Sequence, residues 1–298
     1  MQLFEKYSSL VTMTVEDFPA RLWIRRVLRK IFWNAPPIMI PILIQLRFRK
    51  KFINRVKLAR TGALLKLTEF RDSGEVKDCI HFYHPLRTTR YFDGITHRIE
   101  KLLEEYCVNQ IHDLNSGVFV DIGSNIGEFS LGISRKYPDS KFIRFEPSYE
   151  ENLASTVNMS NCADILIPKA LWSKKAELKF YRRNEHGDSS LFSPDNEDNW
   201  IKIQTTTLDN EIGESFSREI ELLKLEAEGA EPEILLGGAK TLKKCRYVTA
   251  DLGPERGVLK ESTFEAATKI LVSYGFSLIG KNMGERMCYL YKNSKLGQ

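Results

Sequence analysis

The sequence lacks the cysteine pattern of a disulfide framework or a structural zinc site. Its five cysteines are odd in number, scattered, and without C-x-x-C spacing, so we expect a protein of a reducing compartment. It also lacks repeats, low-complexity segments and a charged N-terminus followed at once by an apolar core, so a signal peptide is not expected. These absences favour a cytoplasmic protein, and an apolar fraction of 42% is typical of a soluble globular chain.

Acidic residues are scarce in the first 60 positions. Three Asp and Glu stand there against 13 Lys and Arg, whereas the remaining residues carry 36 acidic and 31 basic side chains. Because the basicity belongs to this extension and the main body is mildly acidic, we do not expect a nucleic-acid partner.

A long hydrophobic run is missing as well. The apolar segment 36–44 is about half of the ~20 residues that a spanning helix needs, and its three prolines interrupt it. Basic clusters flank Trp23, Phe32 and Trp33. Residues 21–57 therefore fit two interpretations. One is an amphipathic element on the anionic inner face of a membrane, and the other is a helical extension packed on the domain or on a second subunit.

The most informative stretch that is present runs from Val118 to Gly127. Its first residues predict a buried strand that ends at Asp121, and Gly123 and Gly127 then frame the polar pair Ser124-Asn125. After Gly127, apolar residues recur at the spacing of a helix. Glycine lets the backbone pass close to a ligand, and a helix start offers unpaired N–H groups, so this order of elements makes a nucleotide-cofactor cradle. An ordinary strand-to-helix turn is the alternative.

Predicted strands and helices alternate along the rest of the chain, which indicates an α/β fold with a mostly parallel sheet. We divide the chain into a basic amphipathic extension (1–60), a connecting, substrate-side region (61–115) and the main domain (116–298). Within the main domain, residues 232–242 are predicted as one helix, and 276–279 with 287–291 as a terminal hairpin.

Glu146 ends the second predicted strand, 25 residues after Asp121. An acid at this position accepts hydrogen bonds from ribose hydroxyls in nucleotide-binding α/β folds. The loop after Asp121 lacks the middle glycine of G-x-G-x-x-G, which disfavours a dinucleotide such as a nicotinamide cofactor. S-adenosylmethionine has no phosphates and fits better, with Asp121 and the loop N–H groups at its amino-acid end.

Acidic residues follow the predicted strand 220–225. Glu226 and Glu228 are candidates for a general base or for a Mg²⁺ site, because Mg²⁺ prefers hard oxygen ligands; the alternative for Glu228 is a cap on the next helix. Lys224 is a candidate for pairing with these acids or contacting substrate. His186, in a polar loop, is a second candidate base because imidazole titrates near pH 7, unless it is simply an exposed loop residue.

Several segments follow one another in a recognisable order over about residues 118–245. They are Val120–Gly127 with Glu128–Leu131, Phe145–Pro147, Ala170–Leu171, Ser189–Leu191, Thr207–Asp209 and Leu223–Glu231. In these segments the chain resembles the FkbM family of S-adenosylmethionine-dependent methyltransferases. Residues 1–80 fall outside the resemblance, and Glu226 stands where the family usually has Asp.

The resemblance implies a Rossmann-like methyltransferase fold: a mostly parallel seven-stranded sheet with an antiparallel C-terminal edge strand and helices on both faces. It also implies O-methylation of a hydroxyl on a sugar, polysaccharide, glycolipid or related natural product. The cofactor residues expected on this basis are Asp121, Gly123, Ser124, Asn125 and Gly127 at the methionine end, Glu146 with Pro147 at the ribose, and Ala170 with Leu171 at the adenine. The alternative is a non-catalytic scaffold at a membrane surface that keeps this fold.

Overall fold

The computed structural model describes residues 34–183, 187–193, 199–213 and 216–296. The chain divides into two compact units, the first ending at Ile95 and the second beginning at Thr96. The boundaries at residues 60 and 115 stay predictions, but one strand of the first unit, Arg55–Thr61, runs through residue 60. None of the helices within the described ranges has the length and apolar character needed to cross a membrane.

The first unit contains an antiparallel three-stranded sheet with a helix before it. Its elements are α1 (Ile40–Phe48), β1 (Arg55–Thr61), β2 (Leu64–Phe70), β3 (Val76–Phe82) and a 3-10 helix (Pro85–Tyr91). The strands pair in sequence order. Glu69 on β2 is fully buried and accepts hydrogen bonds from Asn54, Lys77 and the backbone N–H of Ile95, which ties this strand to the segments around it.

The second unit alternates strands and helices, as the sequence pattern predicted. Its elements are α2 (Ile95–Glu105), β4 (Val118–Ile122), α3 (Glu128–Lys136), β5 (Lys141–Phe145), α4 (Tyr149–Asn158), β6 (Ala163–Ile167), β7 (Ala170–Leu171), β8 (Glu177–Tyr181), β9 (Trp200–Thr206), α5 (Leu208–Ile212), β10 (Ile220–Leu225), α6 (Glu231–Leu236), α7 (Ala239–Leu242), β11 (Cys245–Asp251), β12 (Pro254–Arg256), β13 (Glu261–Ser262), α8 (Phe264–Ser273), β14 (Phe276–Met283) and β15 (Met287–Asn293).

Seven strands form one sheet in the order β14-β15-β11-β10-β4-β5-β6. The five from β11 to β6 are parallel, so the predicted mostly parallel seven-stranded sheet is confirmed. The antiparallel C-terminal strand does not lie at the edge as expected. It is β15, and it pairs with β11 on one side and with β14 on the other.

The apolar content of the two hairpin strands explains this order. In β15, Cys288, Leu290 and Tyr291 are fully buried, whereas Leu278 and Ile279 of β14 are exposed. The more apolar strand therefore takes the interior position, and the more polar strand takes the edge.

Strand β4 lies near the centre of the sheet and is buried on both faces. Val118, Val120 and Ile122 pack in one core layer, and Phe119 packs in the other, following the two-residue alternation of a strand. The carboxyl ends of β4, β5 and β10 meet at one edge of the sheet, where open α/β sheets bind their ligands.

The helix predicted over 232–242 is divided into α6 and α7 by Gly237-Gly238. A Cβ on Gly237 would lie 2.3 Å from the carbonyl oxygen of Trp172. Only glycine permits this approach, so the interruption is needed where α6 packs on the segment after β7. Strand β7 itself belongs to a separate sheet of order β7-β9-β8.

Candidate active site

A cleft opens at the carboxyl ends of β4, β5 and β10. Its empty space, open solvent included, is about 680 Å³. One part of its wall is apolar and the other is polar. The apolar residues include Ile122, Phe145, Ala170, Leu171, Phe180 and Ile234, and the polar residues include Asn125, Glu146, Ser148, Glu151, Glu226 and Glu228.

Gly123 allows the loop after β4 to cross directly over the end of β10. Its φ is +71°, and a Cβ there would lie only 1.8 Å from the carbonyl oxygen of Glu226. No side chain can be accommodated at that distance, so this position requires glycine. The close approach brings the loop and the segment 226–228 to the same cleft.

The backbone N–H groups of this loop already have acceptors inside the protein. Those of Gly123 and Ser124 both donate to the carbonyl oxygen of Phe145 at 2.9 Å. That of Asn125 donates to Glu146 at 2.9 Å, and the next two residues donate within the loop. The loop is therefore a rigid, internally bonded turn, and it does not offer the unpaired N–H donors that the sequence led us to expect.

Glu146 lies just beyond β5 with its carboxylate almost fully buried. One oxygen accepts the N–H of Asn125 and the other accepts that of Ser148, at 2.9 and 2.8 Å. A carboxylate has about four lone-pair positions, so two remain for hydroxyl donors in the cleft. Burial, with the nearby charge of Glu151, raises the pKa of Glu146 to about 7 against the effect of the two N–H bonds.

Lys224 lies between β4 and β10 and is buried. Its ammonium group is 3.2 Å from Asp121 and 3.0 Å from Glu226, and it donates to the carbonyl oxygens of Ile122 and Gly123 at 3.2 and 2.8 Å. Burial alone would lower the pKa of Lys224, but the two carboxylates outweigh it and raise the pKa. The lysine is therefore a fixed cation that fastens the β4 loop to the end of β10.

Glu226 is also held by a second cation, Arg286, from the turn between β14 and β15. The same guanidinium group is 3.3 Å from Asp251 and 3.4 Å from Glu105. Burial alone would raise the pKa of Glu226, but Arg286 and then Lys224 outweigh it and hold the pKa well below its usual range. A carboxylate this strongly ionised is a weak proton acceptor.

The predicted Mg²⁺ site at Glu226 and Glu228 has no support in the structure. Within the part of the chain that is described, no three His, Cys, Asp or Glu residues are grouped so that they could hold a metal ion. The carboxylate of Glu226 is engaged by Lys224 and Arg286 instead. Two acids two residues apart in the sequence suggested a metal pair, but the cations that pair with Glu226 come from Lys224 and from Arg286, which is distant in the chain.

Glu228 differs from Glu226 in both conformation and charge. Its φ is +50°, in the left-handed region that a glutamate rarely occupies, and it lines the cleft. Burial, then the neighbouring Glu255 and Glu226, raises its pKa well above the ordinary value. Strained residues at a cleft are often functional.

The alternative role of Glu228 as a helix cap is not seen, because the N-cap position of α6 is Ala230 and no side chain caps it. The carboxylate of Glu231, which is buried, accepts the N–H groups of Ala227 and Gly229 at 2.9 and 3.1 Å and the hydroxyl of Thr263 at 2.9 Å. Glu231 therefore organises the turn before α6, which leaves Glu228 at the cleft.

With this geometry in view, the comparisons with known proteins identify the family. The model of the methyltransferase FkbM domain matches residues 121–278, more than half of the chain and all of the segment from the β4 loop to β14. The chain belongs to the FkbM methyltransferase family.

Two curated relatives are similar over part of this FkbM-family chain. The 2-O-methyltransferase NoeI of Sinorhizobium fredii (strain NBRC 101917 / NGR234) is 23% identical over 228 residues, 70% of this chain and 93% of NoeI. Methyltransferase 1 of Beauveria bassiana (strain ARSEF 2860) is 25% identical over 168 residues, 47% of this chain and 67% of its own.

Among solved structures, the magnesium protoporphyrin IX methyltransferase of Synechocystis PCC 6803 with bound S-adenosylmethionine matches with a TM-score of 0.41. It is 9% identical, and the match covers 67% of this chain and 79% of that protein. A likeness this weak indicates nothing about substrate.

Most of the predicted cofactor residues of this family member meet at the cleft. Those that line it are Gly123, Asn125, Glu146, Pro147, Ala170 and Leu171. Three others lie in or under the loop without lining the cleft, namely Asp121, Ser124 and Gly127. Asp121 accepts a hydrogen bond from Ser130 at 2.7 Å and pairs with Lys224, so it supports the loop from below.

The four predicted catalytic residues also differ in whether they line the cleft. Glu226 and Glu228 line the cleft, whereas Lys224 is buried beside it. His186 lies outside the described residues, and its role stays a prediction.

Arg286 is a residue of this site that the sequence analysis missed. It stands one residue before β15, and β15 runs antiparallel to β11 so that Cys288 pairs with Asp251 at the carboxyl end of β11. The start of an antiparallel final strand must lie at the same edge as the ends of the parallel strands. Once the hairpin was predicted, the arginine in its turn could therefore have been placed at the edge of the sheet that carries the site.

Proposed function

We propose that this FkbM-family protein transfers a methyl group from S-adenosylmethionine to a hydroxyl group of a sugar, polysaccharide, glycolipid or related natural product. The observation that carries the cofactor assignment is Glu146. Its carboxylate lines the cleft with two lone-pair positions open, which suits the two hydroxyls of a ribose.

The rest of the cleft fits the same cofactor. Ala170, Leu171 and Phe180 supply apolar surface for an adenine, and Asn125 of the β4 loop lines the same cleft. When bound, S-adenosylmethionine supplies a methyl group on a sulfonium, a carbon already activated for in-line displacement. The protein must then align the acceptor, exclude water and remove the hydroxyl proton.

Glu228 is the residue that we assign to proton removal. Glu228 lines the cleft at a strained backbone position, and burial raises its pKa, which makes its carboxylate a stronger proton acceptor than that of Glu226, which is held ionised by its two cations. Glu226 is better suited to positioning the loop. Oxygen as the acceptor atom is supported by the relative described as a 2-O-methyltransferase.

The test is methyl transfer from labelled S-adenosylmethionine to glycan, glycolipid and small-molecule hydroxyl acceptors. We expect transfer to a hydroxyl, with the Glu228→Gln variant slower by about 10²–10⁴-fold and cofactor affinity unchanged. Glu265→Gln, an exposed acid on α8, is the matched control and should retain activity. Transfer to nitrogen or carbon acceptors alone, or full activity in Glu228→Gln, would contradict the assignment.

The same assay separates the enzyme from the alternative of a non-catalytic membrane-surface scaffold. A scaffold needs neither the cleft polarity at Glu146 nor the strained Glu228, so we favour the enzyme. Location in the cytoplasm and assembly into a homo-oligomer stay predictions.

A further inference from the structure

Helix α1 is apolar on two opposite sides, which is unusual for a helix at the surface of a protein. Ile40, Pro41 and Ile44 are buried in the first unit. Ile42 and Leu46, four residues apart, are 55% and 62% exposed. The helix therefore uses one side for folding and leaves the other side to solvent.

Four exposed apolar side chains lie on α1 or just before it. At 100° per residue, Ile42 and Leu46 lie within about 40° of each other and roughly opposite Ile40 and Ile44. Ile38 and Met39 lie just before α1, in the 3-10 helix Pro37–Met39, and are 69% and 47% exposed. We call these four residues the apolar stripe of α1. Exposed apolar surface of this kind marks an interaction site.

Every charged residue in the segment of chain around the stripe is basic. Residues 34–61 contain seven Lys and Arg and no Asp or Glu. Arg49 and Lys51, just past the end of α1, are exposed. A basic cluster at the end of an apolar helical stripe complements an anionic lipid surface, where apolar side chains enter the boundary of the acyl chains and cations contact the headgroups.

We propose that the apolar stripe of α1 docks on the surface of an anionic lipid bilayer, with Arg49 and Lys51 against the headgroups. The helix spans only Ile40–Phe48, so it lies on the bilayer and does not cross it. This surface belongs to the first unit and is independent of the proposed cofactor and reaction.

Other occupants fit the same surface less well. A second copy of the chain packed symmetrically on the stripe would bring two basic clusters together, which costs free energy. Residues 1–33 carry six Lys and Arg against three Asp and Glu, so they have the same sign of charge. A nucleic acid would be attracted by the cations but would leave the stripe exposed to water.

The experiment is flotation of the full-length protein with vesicles of phosphatidylcholine alone and of phosphatidylcholine with phosphatidylserine. We expect flotation with the anionic vesicles only, weakening as salt is added. The double variant Ile42→Gln with Leu46→Gln should bind about tenfold less or weaker still, because it removes apolar contact. The double variant Arg49→Gln with Lys51→Gln should bind about 30-fold less.

Two matched controls test whether the location matters. Val258→Gln with Leu259→Gln removes exposed apolar side chains from the second unit, and Lys174→Gln with Lys175→Gln removes two exposed charges there. Both should float like the unchanged protein. Circular dichroism and S-adenosylmethionine titration on every variant establish that the units are folded, so failure of vesicle binding is distinguishable from failure of the cofactor assignment.

The proposal is overturned if the unchanged protein does not float with anionic vesicles, or if the control variants lose as much binding as the α1 variants. It is also overturned if sedimentation shows a dimer that Ile42→Gln with Leu46→Gln dissociates, or if RNA binds in place of vesicles. Deletion of residues 1–33 that abolishes flotation while the α1 variants retain it would assign the membrane contact elsewhere.

Discussion

Replacing Gly123 by alanine tests the packing that builds the cofactor cleft. The added Cβ would lie 1.8 Å from the carbonyl oxygen and 3.0 Å from the carbonyl carbon of Glu226. Both are backbone atoms at the end of β10, so no side chain can turn aside to make room. The loop must move away from β10, and the contact of Lys224 with the Gly123 carbonyl oxygen, now 2.8 Å, must lengthen.

The expected cost has two parts. An alanine at a φ of +71° is strained by about 1 kcal/mol, and forcing the Cβ against the backbone adds about 1–3 kcal/mol. Gly257→Ala is the matched control, because its φ is +65° in the same unit and nothing lies within 4 Å of the added Cβ. Gly257→Ala should therefore lose only the backbone-strain part of the unfolding free energy, about 1 kcal/mol.

Urea unfolding followed by circular dichroism measures both variants, and titration with S-adenosylmethionine measures the cleft. We expect Gly123→Ala to lose about 2–4 kcal/mol of unfolding free energy and to bind the cofactor more weakly, whereas Gly257→Ala binds it normally. Equal losses in the two variants, with equal cofactor affinity, would refute the close approach between the loop and β10.

Two further predictions concern charge. Arg286→Met should destabilise the protein by about 3 kcal/mol in urea unfolding, because it removes the cation beside buried Asp251 and one of the two cations that hold Glu226; adding Glu226→Gln should recover part of the loss, and a loss within error would contradict the role of Arg286. The pKa of Glu146 is about 7 in the folded protein, against an ordinary value of 4.5, so the folded protein binds this proton more tightly than the unfolded chain does. The stability that the proton contributes is therefore complete below pH 4.5 and is lost as the pH rises to 7. Relative to Glu146→Gln, the unchanged protein should lose about 3 kcal/mol between these pH values, and parallel stability curves for the two proteins would show that the pKa is not raised.

Much of the fold follows from local sequence patterns. The buried run before Asp121 and the alternating strands and helices gave the parallel sheet, because these patterns depend on each segment alone. The position of β15 inside the sheet did not follow, since it depends on which of two hairpin strands buries more apolar surface. The interruption at Gly237-Gly238 depends on the distant carbonyl of Trp172, which no local pattern reveals.

The same distinction between local patterns and distant contacts applies to the candidate site. Glu146 was predictable because its spacing from the glycine loop reflects one strand-helix-strand unit. The pairing of Lys224 with Glu226 was one of the predicted possibilities. Their other partners, Asp121 and Arg286, were not predicted, because they stand about 100 and 60 residues away in the chain and meet these residues only in the folded sheet. A pair of acids in sequence indicates a metal site or a base equally well until their cationic partners are known.

Calorimetric titration of the purified protein with S-adenosylmethionine tests the central claim most directly. We predict saturable binding at one site, about 100-fold weaker in Glu146→Ala because two hydrogen bonds to a charged group are lost, and unchanged in Glu265→Gln. Absence of binding by the unchanged protein, or equal affinity in Glu146→Ala, would contradict the account.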